Sequence, residues 1–300
     1  MLSPVTGKLS KLAQNLKRSW VKHRVVAPLL ESVLHDAVIL EIGGSFNPRY
    51  TKPRHPNVYH LDHCSAEELR EKYAPLVGDA IKNIQAVDFI ANGSPLETII
   101  PTELRFDIIY GAHVLEHQVD LVGHLQSLGK LLKPGGRVIE MIPDLRTCFD
   151  AFRYPSVTAD ALAAHFKGSA IHHGRQVFDA LSRQLDKYHG YRIRDADLNG
   201  VGFDHSLSHA LNAMRLAEQP GQAYLDLHAW TFTPQSFGLL MIELRLLGLI
   251  ELAPSFVSPQ YGNQFCAILE KVDDAADGPT PDVVQRLERE RLALLRRLRV

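Results

Sequence analysis

Cysteine is scarce in this sequence. The chain of 300 residues has three cysteines, which lie far apart, and no two of them form a C-x-x-C pair. An odd number of isolated cysteines argues against a disulfide framework, and their spacing argues against a zinc ribbon. We therefore expect a protein of a reducing compartment. The three residues are Cys64, Cys148 and Cys266.

The sequence also lacks a strong excess of charge and a long apolar run. The formal net charge is −1, so no global electrostatic attraction to nucleic acid is expected. The most apolar stretch, residues 237–253, is interrupted by Glu243, Arg245 and Glu251 and is too charged to span a membrane. No apolar core precedes a small-residue cleavage site at the N-terminus, so we expect no signal peptide. These absences favour a cytoplasmic protein without a nucleic-acid partner.

Glycines follow an apolar strand pattern early in the chain. Residues 38–47, VILEIGGSFN, place Glu41 in the strand and then Gly43, Gly44 and Ser45 in succession. Glycine lets the backbone turn sharply and approach a ligand closely. This stretch therefore predicts a nucleotide-type binding loop.

Acidic residues also mark the next two predicted strands. Asp62 ends the second strand, 19 residues after Gly43. Dinucleotide folds place an acid on the ribose hydroxyls at an offset of about 20 residues. Asp88 and Phe89 end the third predicted strand, where an acid can accept from an exocyclic amine and an aromatic ring can cover a purine. This pair therefore suits adenine.

Strand and helix patterns alternate along most of the chain. Strands are predicted over residues 37–42, 58–61, 106–110, 137–142, 249–257 and 265–272, with the third strand ending at Phe89. Helices are predicted over residues 65–73, 112–132, 158–165, 178–188 and 234–247. The alternation predicts an α/β fold built on a doubly wound, mostly parallel seven-stranded sheet, with a helical insertion after the fifth strand.

Five motifs and one strand end carry a family resemblance. The motifs are EIGGS, VDF, FDIIYGAHVLEH, LLKPGGRVIEMIPD and HAWTFTPQSF. With the strand that ends at Asp62, they resemble class I S-adenosylmethionine-dependent methyltransferases. More narrowly, they are similar to bacterial predicted methyltransferases associated with surface-polysaccharide and glycosyltransferase functions. The resemblance covers about residues 36–272. It implies a Rossmann-like methyltransferase fold, S-adenosyl-L-methionine as cofactor, and methyl transfer to a small or glycosidic acceptor, with oxygen as the expected acceptor atom.

The resemblance also implies which residues bind the cofactor. Those that would cradle its methionine part are Glu41, Gly43, Gly44 and Ser45. Those that would bind adenosine are Asp62, Asp88 and Phe89, and those beside the sulfonium are Ala112 and His113. The family loop usually reads E/D-x-G-x-G, and Ser45 stands where the second glycine is expected. A positive φ at that position would cost a serine roughly 1 kcal/mol or more.

The domain organisation follows from where the alternation of strands and helices lapses, after residue 144. The cofactor-binding domain is expected to comprise residues 36–144 and 229–272, with residues 145–228 as an insertion that covers the substrate. Residues 1–35 are predicted to form a basic amphipathic helix, and residues 273–300 a linker and a C-terminal helix. A peripheral membrane contact, packing on the domain, a homodimer contact and a partly ordered tail all stay open for these ends.

A hydroxyl acceptor needs a group that takes its proton, and histidine is the side chain best matched to neutral pH. The candidates are His113, just past the fourth strand, His117, and Asp144 at the end of the fifth strand. A cofactor-pocket wall is the alternative role for His113. Helix packing is the alternative for His117.

Basic and aromatic residues later in the chain are candidates for acceptor binding. Arg146 and Arg153 could meet a phosphate or carboxylate on a nucleotide-linked sugar, or they could be solvated surface residues. His228 and Trp230 could line a sugar pocket, although a core position is the alternative for Trp230. A small-molecule or sugar acceptor is therefore the expected partner.

Two histidine pairs have the i, i+4 spacing by which one helix face binds zinc. They are His113/His117 and His205/His209. Neither comes with a convincing third ligand in the sequence, so no metal site is expected.

Two other functions stay open. The unusual Ser45 and the unassigned base leave room for a non-catalytic methyltransferase-like binding or scaffold protein. A nicotinamide-dependent oxidoreductase needs G-x-G-x-x-G after the first strand, and here only Gly43 matches that pattern. No N/D-P-P-Y/F motif follows the fourth strand, which argues against methylation of a planar nucleobase or amide nitrogen.

Overall fold

A seven-stranded sheet forms the centre of the molecule. The computed structural model of the chain describes residues 21–186, 201–272 and 278–298. The strands are β1 (Ile39–Ile42), β2 (Val58–Asp62), β3 (Phe89–Ile90), β4 (Phe106–Ala112), β5 (Leu132–Pro143), β6 (Leu252–Val257) and β7 (Gln264–Lys271). Their order is β3-β2-β1-β4-β5-β7-β6, and every pair is parallel except the two that involve β7. The predicted mostly parallel seven-stranded sheet is confirmed.

Helices connect the strands. They are α1 (Ala27–Glu31), α2 (Ala66–Val77), α3 (Leu96–Ile99), α4 (Leu121–Leu131), α5 (Thr158–Lys167), α6 (Gly174–Arg183), α7 (Leu207–Ala217), α8 (Pro234–Leu246) and α9 (Pro281–Leu298). The predicted capping box opens α2: Ser65 Oγ accepts from the Glu68 amide, and the Glu68 carboxylate accepts from the Ser65 amide. α8 has Pro234 in its first turn, as the sequence predicts.

Apolar clusters cover both faces of the sheet. All four residues of β1 are buried, as is typical of a central parallel strand. Leu40 and Ile42 belong to a cluster shared with α4 and α8, whereas Ile39 belongs to a second cluster with Val26 and Leu30. Successive strand residues point to opposite faces. The sheet is therefore packed on two sides, as a doubly wound fold requires.

The predicted helix over residues 112–132 is wrong in its first half. β4 continues to Ala112, a 3₁₀ turn follows at Leu115–His117, and α4 begins only at Leu121. The Asp120 side chain accepts from the Gly123 amide and caps α4. The segment before this cap is thus free to carry side chains at the sheet edge.

The KPGG turn lies inside the region paired with β4. β5 begins at Leu132, directly after α4, and its register with β4 shifts between Phe106 and Ile108. Gly135 has φ +75°, and a Cβ on Gly136 would lie 2.8 Å from the Phe106 carbonyl oxygen. The glycines therefore allow an irregularity in the ladder where the sequence predicts a separate loop.

β3 is only two residues long and ends one residue later than predicted, at Ile90. Ile90 pairs with Asp62, the last residue of β2, so β3 lies at the carboxyl edge of the sheet. Asp88 directly precedes β3, and its amide donates to the His60 carbonyl at 2.8 Å.

The region between β5 and α8 is helical. The helix predicted over residues 158–165 is confirmed as α5, whereas α6 differs from the prediction. α6 spans Gly174–Arg183 in place of residues 178–188, of which residues 187–188 lie outside the described part. Glu218 fixes the start of α6, because its carboxylate accepts from the Gly174 amide at 2.6 Å. This cap comes from a residue distant in sequence, so local pattern could not reveal it. The domain boundaries themselves stay predictions.

The two ends of the chain differ in what can be described. Residues 1–20 lie outside the described part, and Lys22–Val26 form a π-helical turn that leads into α1. α9 packs on α8, where Arg291 Nε lies 2.8 Å from Glu243 Oε1 and Leu287 is buried. A partly ordered tail is therefore wrong for α9. In the described ranges no helix is long and apolar enough to cross a membrane.

Candidate active site

The loop after β1 meets the loop after β4 at the carboxyl edge of the sheet. Gly43 has φ +66°, and a Cβ there would lie 2.7 Å from Val114 Cγ2. The strand order reverses between β1 and β4, and ligands of open α/β sheets bind at such a switch point. Glycine at position 43 is thus required by both its backbone angle and the close approach of Val114.

Ser45 adopts the left-handed backbone conformation, with φ +43°. Its amide donates to Asp62 Oδ2 at 3.3 Å, and its Oγ is buried without a hydrogen-bond partner in the described structure. The sequence predicts strain at Ser45 if its φ is positive, and φ is positive in the structure. The strain costs about 1–2 kcal/mol relative to an ordinary conformation.

Glu41 is hydrogen-bonded to the backbone that follows the glycine loop. Its carboxylate accepts from the backbone amides of Arg49 and Tyr50 at 2.6 and 2.8 Å and is buried. Burial raises the pKa of Glu41 to about 7, against the lowering effect of these hydrogen bonds. A Cβ on Gly44 would lie 3.2 Å from this carboxylate. Glu41 therefore positions the loop backbone.

Asp62 lies at the carboxyl end of β2 and is almost fully buried. Its Oδ1 accepts from the His63 amide at 2.8 Å, and its Oδ2 accepts from the Ser45 amide. The half-exposed His63 ring also lies against it, with Nδ1 2.7 Å from Oδ1. A carboxylate has about four acceptor sites, so about one stays available for a further hydrogen bond. Asp62, Ser45 and Gly44 line one small cavity together with Pro48.

Asp88 and Phe89 already have partners within the fold. Asp88 Oδ2 accepts from the His60 amide at 2.9 Å, and Oδ1 lies 3.2 Å from Lys52 Nζ. Phe89 pairs with Leu61, next to Asp62, and its ring stacks on Tyr59 with centroids 6.0 Å apart. The assignment of this pair to adenine stays a prediction.

His113 follows β4 in a left-handed conformation, with φ +57°. Its amide donates to the Met141 carbonyl, its Nε2 lies 2.8 Å from Gln264 Oε1, and its Nδ1 lies 3.5 Å from Glu116 Oε1. Burial alone would lower the pKa of His113, but Glu116 raises it above its ordinary value. Ala112, the last residue of β4, is half-buried beside it.

Glu116 is surrounded by three histidines. Its Oε1 lies 3.9 Å from His117 Nε2 and 3.7 Å from His228 Nε2, in addition to the His113 contact. Burial alone would raise the pKa of Glu116, but the histidines hold it below its usual range. The structure thus brings two sequence-predicted residues, His113 and His117, together with His228 around a buried carboxylate.

Asp144 is engaged in a different way. It is fully buried at the end of β5, and its carboxylate forms a bidentate pair with Arg146, at 2.8 Å from Nε and 2.5 Å from Nη2. Its Oδ1 also accepts from the Arg146 amide. A carboxylate paired in this way is a weak candidate for a base. Arg146 is about half-exposed and lies beside the edge that carries His113 and Asp62.

Two residues predicted to bind the acceptor are structural. Arg153 is buried and pairs with Asp150 and Asp179, at 2.8 and 2.7 Å, and it also donates to the His228 carbonyl. Trp230 is buried, and its Nε1 donates to the Gln118 carbonyl. Neither side chain is placed to meet a ligand, because the fold already satisfies both.

The sequence reasoning missed four residues of this region. They are Glu116, Asp150, Asp226 and Gln264. Glu116 lies inside the HVLEH motif between the two selected histidines, and Asp226 lies two residues before His228. Their acidic character was therefore visible, but their meeting with His228 depends on the fold.

No protein-family model matches the sequence, and no curated protein matches it. Solved methyltransferase structures are similar in fold. The CcbJ methyltransferase from Streptomyces caelestis aligns over 82% of this chain and 93% of its own, with 11% identity and a TM-score of 0.40.

Two further solved structures align over most of both chains. The 1,6-didemethyltoxoflavin-N1-methyltransferase of Burkholderia thailandensis covers 91% of this chain and 92% of its own, with 16% identity and a TM-score of 0.40. An S-adenosylmethionine-dependent methyltransferase from Clostridium acetobutylicum covers 89% and 99%, with 10% identity and a TM-score of 0.41. Likenesses this distant carry no argument about activity, and the fold assignment rests on the strand order.

Proposed function

We propose that the chain is an S-adenosylmethionine-dependent methyltransferase that transfers a methyl group to a hydroxyl oxygen of a small or glycosidic acceptor. The observation that carries this proposal is the meeting of Gly43, Ser45 and Asp62 at the switch point of the sheet. Backbone at positive φ lies there beside a buried carboxylate that keeps about one acceptor site beyond its contacts with Ser45 and His63. These residues fit a nucleoside with a ribose diol.

The cofactor would supply an activated methyl group on a sulfonium. Asp62 would accept hydrogen bonds from the ribose hydroxyls, and the loop of Gly43 to Ser45 would contact the methionine part. Glu41 would act through this loop, since its carboxylate already holds the amides of Arg49 and Tyr50. Positive charge is lost during methyl transfer, so exclusion of water and alignment of the acceptor supply most of the rate.

The acceptor hydroxyl must also lose a proton. Glu116, on the loop after β4, is surrounded by His113, His117 and His228. Val114 of the same loop lies close to Gly43, so this cluster is next to the glycines of the loop after β1. This cluster is the place where the proton would be taken. Asp144 has its carboxylate paired with Arg146 and is not needed for this role.

A sugar-bearing acceptor and a role in polysaccharide biosynthesis belong to the same proposal, and the sequence resemblance supports them. Arg146 stays the proposed contact for an anionic group on the acceptor, since it is half-exposed. Location in the cytoplasm, a peripheral membrane contact of the basic ends and a homodimer also remain proposals. Leu292 and Leu295 on α9 are exposed, and exposed apolar side chains of this kind suit a membrane contact or a homodimer contact.

Transfer of labelled methyl groups tests the function. The purified chain is incubated with methyl-labelled S-adenosylmethionine and a panel of sugar and small hydroxyl acceptors, and incorporated label is counted. Label in a hydroxyl-bearing acceptor, abolished by Asp62→Ala, supports the proposal. Cofactor binding with no transfer across the panel would support the non-catalytic alternative.

A further inference from the structure

A buried carboxylate and two imidazoles converge beside the proposed cofactor loop. One ligand atom each from Glu116, His117 and His228 lies within 4.8 Å of the others. Ligands on a tetrahedral zinc at about 2.0–2.1 Å are about 3.3 Å apart, so a small inward movement would form a metal site. The three residues are called the Glu116 cluster below.

The Glu116 carboxylate is buried and lacks hydrogen bonds within the described structure. It is 1% exposed, and neither carboxylate oxygen has a hydrogen-bond partner among the described residues. A buried carboxylate without hydrogen bonds is costly unless a cation is close. Its Oε1 points toward His117 Nε2 and His228 Nε2, at 3.9 and 3.7 Å. The space between these atoms is therefore suited to a positive charge.

Both imidazoles have a carboxylate behind them. His228 Nδ1 is hydrogen-bonded to Asp150 Oδ2 at 2.6 Å, whereas His117 Nδ1 lies 3.0 Å from Oδ1 of the exposed Asp226 without hydrogen-bond geometry. Metal-binding histidines commonly have such a carboxylate on the ring nitrogen that does not bind the metal, which fixes the tautomer and directs the other nitrogen inward. Arg153 in turn holds Asp150 at 2.8 Å.

The backbone also fixes the cluster. The amides of Ala229 and Trp230 both donate to the Glu116 carbonyl, at 2.8 and 3.1 Å. These bonds join the irregular segment before α8, which carries His228, to the 3₁₀ turn that carries Glu116 and His117. The three ligands are thus positioned by main-chain contacts before any ion binds.

We propose that the Glu116 cluster binds a divalent transition-metal cation, with Zn²⁺ and Co²⁺ as probes. The sequence-based expectation of no metal site considered the pair His113/His117, whereas the fold places Glu116 and His228 beside His117. Two imidazoles and one carboxylate leave a coordination position open, as in catalytic sites. His113 Nδ1, 3.5 Å from Glu116 Oε1, borders that position.

The site deepens the proposed function, and only its catalytic role rests on that function. A bound cation acts as a Lewis acid and lowers the pKa of an oxygen that it binds. Placed beside the loop after β4, it would favour loss of the acceptor hydroxyl's proton. The binding site itself is independent of methyl transfer and can be tested without it.

Metal binding by the full chain tests the proposal. After removal of metal by a chelator, Zn²⁺ is titrated by calorimetry, and Co²⁺ is followed by its visible absorption. We expect one tight equivalent and a cobalt spectrum with nitrogen and oxygen ligands. Glu116→Gln and His228→Gln should abolish tight binding. Asp226→Asn should weaken binding about 10–100-fold, as loss of an outer carboxylate does.

The surface pair His205/His209, whose rings stack with centroids 4.7 Å apart, offers the matched control. His209→Ala should leave tight binding unchanged. Thermal unfolding in chelator identifies any variant that fails to fold, and Asp226→Asn on the rim keeps the test decisive in that case. Absence of tight binding in the native chain, or its loss in His209→Ala and retention in Glu116→Gln, would overturn the proposal. Protonated histidines would then neutralise Glu116.

The same metal-free protein is titrated with S-adenosylmethionine. Cofactor binding without metal binding would contradict the metal site and leave the proposed function supported. Metal binding without cofactor binding would support the metal site and contradict the proposed function.

Discussion

The Ser45 amide donates to Asp62 Oδ2 at 3.3 Å while Ser45 itself has φ +43°. The left-handed backbone conformation of Ser45 thus directs its amide toward the carboxylate of Asp62 at the end of β2. Glycine adopts such a φ readily, whereas other residues do so at a cost of about 1–2 kcal/mol.

Ser45→Gly should raise the free energy of unfolding by about 0.5–1 kcal/mol, because relief of strain exceeds the added entropy of the unfolded chain. Urea denaturation measures this change. Ser94→Gly, at an exposed position with ordinary φ, is the control and should lower stability slightly. A loss of stability in Ser45→Gly equal to that of the control would contradict the strain.

Glu140 should make stability fall as pH rises from about 4.5 to about 8 and leave it level above that range. It is fully buried, no hydrogen bond reaches its carboxylate in the described structure, and burial raises its pKa to about 8. The folded state therefore holds a proton that the unfolded state loses above its ordinary pKa. Each pH unit in this window costs the folded state about 1.4 kcal/mol.

Glu140→Gln removes this cost, so its stability relative to the native chain should grow as pH rises from about 5 to 8. Chemical denaturation at several pH values measures the difference. Glu270→Gln, on a partly exposed strand residue, should give a difference that is nearly constant. A constant difference for Glu140→Gln would mean that the carboxyl ionises in the fold at its ordinary pKa.

His124 should make stability fall at acidic pH. Its ring is buried in α4, and burial lowers its pKa to about 4. In the unfolded state this histidine binds a proton below pH about 6.5, whereas in the folded state it stays neutral down to about pH 4. Stability is therefore lost as pH falls from about 6.5 toward 4. His124→Gln should reduce this loss, as measured by thermal unfolding between pH 7 and 5. An unchanged pH profile would show that another group controls it.

Arg153 and Arg183 should differ in their effect on stability. Arg153→Met leaves Asp150 and Asp179 without their buried cation, and loss of one partner of a buried pair costs about 3–5 kcal/mol. Arg183→Met, which removes a partly exposed arginine paired with Asp179 at 3.4 Å, should cost much less. Denaturant unfolding compares the two. Equal small losses would restore Arg153 as a candidate for acceptor binding.

Local patterns in the sequence were sufficient for the sheet but not for the site. The Ser65 capping box, Pro234 at the start of α8 and the seven strands follow from neighbouring residues. The end of β3 is predicted one residue too early, because a two-residue strand gives no pattern that fixes its ends.

The Glu116 cluster could not be predicted in full for a different reason. HVLEH displays Glu116 and His117, but His228 reaches them only through the hydrogen bonds of Ala229 and Trp230 to the Glu116 carbonyl. Such contacts between segments distant in sequence depend on the completed fold. Arg153 likewise resembled a surface cation until its two aspartate partners were brought to it.

The central claim is that the loop after β1 and Asp62 bind S-adenosylmethionine, and calorimetric titration of the purified chain tests it most directly. We expect binding of a single equivalent, weakened about tenfold or more in Asp62→Ala, since hydrogen bonds to a charged group contribute about 1.5–3 kcal/mol. Asp79→Ala, at an exposed aspartate, should bind as the native chain does. No binding of S-adenosylmethionine or S-adenosylhomocysteine by the folded native chain would contradict the account.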